Sequence, residues 1–129
     1  MEEKASILIV DDNISLCKSM SFILRRKGYA VATAKDGPEA IARARKKDYD
    51  IAFIDMKMPA INGLETYLAI KENNAETEAI MMTAYRQEMG DLVESALKNS
   101  AYTCLDKPLD MEEVFKIIEE ILERKRNQG

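Results

Sequence analysis

Short apolar runs along this chain alternate with stretches whose apolar residues recur at helical spacing. Ala5 to Val10 is apolar and β-branched enough for a buried strand, and it stops at Asp11-Asp12. Leu16, Cys17, Met20, Ile23 and Leu24 then follow helical spacing up to Gly28, a C-terminal stop. Tyr29 to Ala34 alternates as a second strand. Asp36-Gly37-Pro38-Glu39 starts a helix with a capping acid, a proline in the first turn and Glu three places after the Asp; Ile41 and Ala44 face inward from it. Ile51 to Ile54 is a third apolar run that ends abruptly in Asp55, followed by a loop punctuated by Pro59 and Asn62-Gly63. Asn62 with Glu65 signals a helix from Gly63 through about Lys71, with Leu64, Tyr67 and Leu68 inward.

The second half repeats the alternation. Ala79 to Met82 is the fourth strand, ending at Thr83-Ala84, and Met89, Leu92, Val93, Ala96 and Leu97 form the next helix. Gly90 within it costs about 1 kcal/mol against Ala, so its first turn is expected to be soft. Ala101 to Leu105 is the fifth strand, closed by Asp106-Lys107-Pro108. Asp110 with Glu113 caps a last helix carrying Val114, Ile117, Ile118, Ile121 and Leu122, which is expected to fray at Glu123-Arg124-Lys125-Arg126. Strands alternating with helices argue for one parallel sheet covered on both faces. Phe115, Ile118 and Leu122 either form a dimer seam or complete the core, and core is the preferred reading.

At 129 residues, 47% of them hydrophobic and 33% charged, the chain suits one domain, with a core spanning about 5–124 and a frayed basic end over 125–129. The net charge of −4 argues against nonspecific nucleic-acid binding. No apolar run is long enough for a signal-peptide core or a membrane span. Cys17 and Cys104 lie in apolar patterns far apart in sequence and read as reduced core residues, which points to a cytoplasmic address. With no histidine in the chain, histidine-based catalytic triads, imidazole metal sites and phosphohistidine are excluded.

In a parallel sheet the residues just after each strand collect along one edge, where ligands bind at the switch in strand order. That edge receives Asp11 and Asp12 from the first strand, Asp55 from the third, Thr83 from the fourth and Lys107 from the fifth. Asp55 alone would be explained by a loop or a cap; five complementary strand ends are not. Carboxylates about 4 Å apart repel by roughly 4 kcal/mol per pair at an effective dielectric of 20, so a cation is required. Lys107 supplies one charge, and a hard divalent ion with few protein oxygens, Mg²⁺ rather than Ca²⁺, suits the remainder. Asp55 beside a metal, a lysine and a hydroxyl is equipped to attack phosphorus.

The set Val10-Asp11-Asp12-Asn13, Asp55-Met56-Lys57-Met58-Pro59 leading to Asn62-Gly63, Met82-Thr83-Ala84 and Leu105-Asp106-Lys107-Pro108 resembles the receiver domain of two-component response regulators, over nearly the whole chain. The resemblance implies a flavodoxin-like five-stranded sheet in order 2-1-3-4-5. It implies a phosphoryl group accepted on Asp55 from a histidine kinase or phosphotransfer protein, and a phosphorylation-driven switch of the surface formed by helix 4, strand 5 and helix 5. That surface also leaves a dimer open. Mg²⁺ would be held by Asp12, Asp55 and the backbone carbonyl of Lys57, with Asp11 acting through water, and the Lys107-Pro108 bond would be cis. Lys57 and Tyr85 would flank water's route to the phosphoryl group and tune its lifetime.

The chain departs from the family pattern at Cys104, where an aromatic usually changes rotamer, at Ser100 in place of a common glycine, and at Thr103 in place of a frequent Asp. Coupling from Thr83 would then weaken or pass through Tyr85 or Tyr102, whose other reading is ordinary packing. A haloacid-dehalogenase-like phosphatase needs a second Asp where Lys57 stands, and a nucleotide carrier needs a glycine-rich loop where Asp11-Asp12 stand. A receiver-like interaction module acting without phosphorylation is the alternative. No DNA-binding or enzymatic output follows the fifth helix, so partner proteins or a separate output domain are expected.

Overall fold

Central strands of an all-parallel sheet must be apolar on both faces because helices cover each side. The third and fourth apolar runs meet that requirement, and in the computed structural model, which describes residues 5–128, they occupy the middle of the sheet. The elements are β1 (Ser6–Val10), α1 (Ile14–Arg26), β2 (Ala30–Ala34), α2 (Gly37–Lys46), β3 (Ile51–Asp55), α3 (Gly63–Asn73), β4 (Glu78–Thr83), α4 (Gly90–Lys98), β5 (Thr103–Asp106) and α5 (Met111–Gln128). Strand order is β2-β1-β3-β4-β5, all parallel, the flavodoxin-like arrangement that the family resemblance implies.

Alternation along the strands divides the core in two. Ile7, Ile9, Phe53, Ile80 and Met82 pack toward α1 and α5, while Leu8, Val10, Ile54 and Met81 pack toward α2, α3 and α4. Ile118 is fully buried, and Phe115 and Leu122 pack against the same cluster, so these positions complete the core.

Helix starts follow the chemistry of their caps. Asn13, Asp36 and Asn62 each accept a backbone N–H three residues on, and Asn62 and Glu65 form a reciprocal capping box. Gly90 is the first residue of α4 rather than an interior one, and Met89 before it offers no side-chain cap.

Three further expectations are corrected. Leu68 is exposed because the buried stripe of α3 runs through Gly63, Thr66, Tyr67 and Ile70, and Leu68 falls on the opposite side. Leu97 is exposed in the last turn of α4, a helix packed on edge strand β5 with no further strand beyond it. The α5 helix does not fray at Glu123: it continues through Gln128, because Arg124 pairs with Glu78 at 2.7 Å and Lys125 Nζ donates to the Glu76 carbonyl. Gly129, the end of the expected frayed tail, lies outside the described residues. Among the described residues no helix is long and apolar enough to cross a membrane.

Candidate functional site

Parallel pairing brings the ends of β1, β3, β4 and β5 to one edge, and backbone bonds fix their relative heights. Asp11 N donates to Ala34 O at 3.0 Å, Met56 N to Met82 O at 2.9 Å, and Lys107 N to Thr83 O at 2.9 Å. The Lys107-Pro108 peptide is cis.

At this edge Asp11, Asp12 and Asp55 each place a carboxylate oxygen within 4.8 Å of the others. Lys107 bridges two of them, with Nζ 2.5 Å from Asp11 Oδ2 and 3.3 Å from Asp55 Oδ1. Asp11 is buried and held from two further directions: its Oδ1 accepts from Asn13 N at 2.9 Å and its carbonyl from Cys17 Sγ at 3.3 Å. Asp12 is exposed. Asp55 is only 5% exposed, and its carboxyl is pushed up to about 6 by burial and by the Asp11 charge, against the opposing pull of Lys107. Burial alone would lower the Lys107 ammonium, but its hydrogen bond to Asp11 and the Asp55 charge hold it above its ordinary value. One ammonium thus faces three carboxylates made only of hard oxygen donors, a set that could hold a divalent cation.

The cleft above these groups has a volume of about 510 Å³ and is lined by Asn13, Lys57, Met58, Pro59, Ala84 and Tyr85 in addition to the three acids and Lys107. Lys57 Nζ lies 4.6 Å from the Tyr85 ring centroid and 3.1 Å from Glu88, and Lys57 and Tyr85 form one lip of the opening. The Lys57–Glu88 contact spans 31 positions and has no signal in the sequence. Thr83 is buried at the end of β4, where its Oγ1 accepts from Tyr85 N at 2.9 Å.

The residues considered for coupling separate across the sheet. Cys104 packs against the α2–α3–α4 cluster. Tyr102 packs against the α1–α5 cluster, with its hydroxyl donating to Glu120 at 2.9 Å and its ring against Arg124. Arg86, to which the sequence reading assigned no role, joins the β4–α4 loop to β5: Nε donates to Asp106 at 2.7 Å and a terminal nitrogen to Cys104 O at 2.8 Å. Both cysteines are free, and burial pushes the Cys17 thiol up to about 11, leaving it protonated.

Known proteins share this fold. Residues 7–119 match the family profile of the response regulator receiver domain. The transcriptional regulatory protein ZraR of Klebsiella oxytoca is 37% identical over 96% of this chain, which spans only 28% of that protein. Sporulation initiation phosphotransferase F of Bacillus subtilis is 30% identical over 98% of this chain and 99% of its own length. Among solved structures, a CheY-like receiver domain protein from Methanospirillum hungatei superposes with a TM-score of 0.88 at 27% identity, covering 97% of this chain and 98% of that one. The response regulator TrrA of Thermotoga maritima, solved in complex with Mg²⁺ and BeF, superposes with a TM-score of 0.79 at 28% identity, covering 91% and 98%. With the profile spanning most of the chain and a relative matched from end to end, the chain belongs to the response regulator receiver domain family, the signalling module of two-component systems.

Proposed function

We propose that Asp55 accepts a phosphoryl group from a histidine kinase or phosphotransfer protein, and that the acyl phosphate so formed switches the surface made by α4, β5 and α5. The observation that carries this reading is the buried Asp55 carboxylate held at 3.3 Å from Lys107, within a cluster of acids, at the floor of an open cleft. A carboxylate oxygen of Asp55 forms the new bond to phosphorus as the bond from phosphorus to the donor's nitrogen or oxygen breaks, and the donor leaves with that electron pair. Asp12, Asp55 and the Lys57 carbonyl, with Asp11 beside them, would hold Mg²⁺, which when bound neutralises the excess carboxylate charge and stabilises the phosphoryl oxygens. Lys107 pairs with a phosphoryl oxygen in place of Asp55. The Thr83 hydroxyl turns from the Tyr85 N–H to donate to another.

Phosphorylation adds close to two negative charges at the end of β3, and the move of Thr83 draws on the loop that leads to α4. Tyr85 is the second residue of that loop, whereas Tyr102 is engaged with α5, so Tyr85 is the better placed of the two to report the change. Lys57 and Tyr85, on the lip of the cleft, restrict water and set the lifetime of the acyl phosphate.

Intact mass after incubation with acetyl phosphate tests the assignment. A single phosphoryl adduct is expected with Mg²⁺, with none after chelation and none in Asp55→Asn. If neither acetyl phosphate nor a histidine-kinase donor yields an adduct, the chain works as an interaction module without phosphorylation.

A further inference from the structure

The loop between β4 and α4 closes one turn before the helix begins. Met89 N donates to Tyr85 O at 2.8 Å, so Tyr85 and Glu88, three positions apart, stand on the same side of that turn. Arg86, within it, fastens the turn to β5 through Asp106 and the Cys104 carbonyl. Lys57 crosses from the β3–α3 loop to meet both side chains: its Nζ lies 3.1 and 3.2 Å from the two Glu88 oxygens and 4.6 Å from the centre of the Tyr85 ring.

Local charge alone would send this ammonium elsewhere. Lys57 lines the same cleft as Asp11, Asp12 and Asp55, and Lys107 is engaged with only the first and the last of these acids. Asp12 has no ion-pair partner among the described residues, and Lys57 stands outside ion-pair distance of all three acids. Carboxylates so close together attract any mobile cation, and a lysine carries its charge on a long, flexible stem. Folded back onto Asp12 and Asp55, the Lys57 ammonium would stand among the oxygens that a divalent ion needs, and the two cations would exclude one another. Glu88 and Tyr85 offer it a carboxylate and an aromatic face at the rim instead. Both contacts are exposed and individually weak, so one carboxylate decides between the two positions.

We infer that Glu88 is a positioning residue: it holds the Lys57 ammonium at the rim and so keeps the space among Asp11, Asp12 and Asp55 open to Mg²⁺. The inference rests on the reading that those acids hold the ion. An ion pair that merely tied two loops together would leave metal affinity unchanged when broken. Here its loss frees Lys57 to compete, and the apparent affinity for the metal falls with the fraction of time that the acids remain clear of the ammonium.

The test titrates the ¹⁵N-labelled full chain with MgCl₂ at pH 7.5 in 150 mM NaCl, where exposed charges act over only about 8 Å. Amide shifts of residues 11–13 and 55–58 report binding. Glu88→Gln is expected to weaken it at least fivefold, which corresponds to Lys57 occupying the acids about four-fifths of the time. Lys57→Met is expected to bind more tightly than the parent, and adding Glu88→Gln to it is expected to change the affinity less than twofold, because the competing ammonium has gone. Glu94→Gln, which removes an equal charge from an exposed position on α4, is expected to bind as the parent does. Affinity of Glu88→Gln within twofold of the parent would overturn the inference. A loss of the same size in the Lys57→Met background would overturn it too, since Glu88 would then act without Lys57, and so would an equal loss in Glu94→Gln, which would trace the effect to overall charge. If the parent itself shows no Mg²⁺-dependent shifts at these residues, the reading of the acids as the metal site fails and the inference falls with it.

Discussion

Asp55 bears the electrostatic cost of the site, and its titration gives that cost a sign. Its carboxyl rises from an ordinary 3.8 to about 6 in the folded chain, so between those values the native state holds a proton that the unfolded state has released. Stability of the metal-free protein therefore falls as pH rises through that window and stays reduced above it. Two pH units correspond to about 3 kcal/mol. Asn cannot ionise, so Asp55→Asn is expected to be more stable than the parent by roughly 1–3 kcal/mol at pH 7.5 in chelator. The gain should disappear at pH 4 or below, where the parent's Asp55 is protonated in the native state too; urea melts at both pH values check this. That these acids, Lys107 and Thr83 gather at one sheet edge was legible in the sequence because each stands at, or within two residues of, the end of an apolar run. The burial of Asp55 and Asp11 was not, because it depends on how four strands and their loops close over them. Arg86 was equally illegible, since its partners Cys104 and Asp106 lie 18 and 20 positions away.

Elements were legible where local chemistry decides them and less so where packing does. The caps at Asp36 and Asn62 placed two helix starts correctly, whereas the length of α5 depends on Arg124 and Lys125 reaching the start of β4. Two positions show the backbone overriding side-chain identity. Ser100, between α4 and β5, has φ of 78°, the left-handed region in which a Cβ costs about 1–2 kcal/mol. A glycine there relieves that cost and loses part of the gain to unfolded-state entropy. Ser100→Gly is thus expected to stabilise by roughly 0.5–1 kcal/mol, read as a rise of a few degrees in melting temperature. Gly63, the first residue of α3, is needed for close approach: a Cβ would lie 2.4 Å from Asp55 O and 2.7 Å from Met56 Cα. Gly63→Ala is expected to cost roughly 1–3 kcal/mol and to slow labelling by acetyl phosphate, because the backbone that must shift carries the phosphoacceptor.

Across the whole molecule, the candidate site lies at one end of the sheet and the proposed output surface along one edge, so a signal must cross from β4 to β5. The family's usual aromatic is absent, and Cys104 is too small to fill its place. Arg86 spans the same gap, fastened to the Cys104 carbonyl and to Asp106 from a loop that begins directly after Thr83. Because this ion pair is largely exposed, its removal should cost less than about 1 kcal/mol of global stability. Its effect on where the loop sits should be larger, since Met89 offers α4 no side-chain cap and Arg86 ties this segment to β5. In Arg86→Ala, amide exchange over residues 84–90 is expected to quicken by several-fold while the strands remain protected. If the fastening also transmits the switch, the change in protection of α4 and β5 on adding beryllofluoride with Mg²⁺ will shrink in the variant, although the ligand still binds at Asp55. A full-sized change in the variant would mean that Thr83 acts on α4 directly through the Tyr85 backbone, with Arg86 only a surface tie.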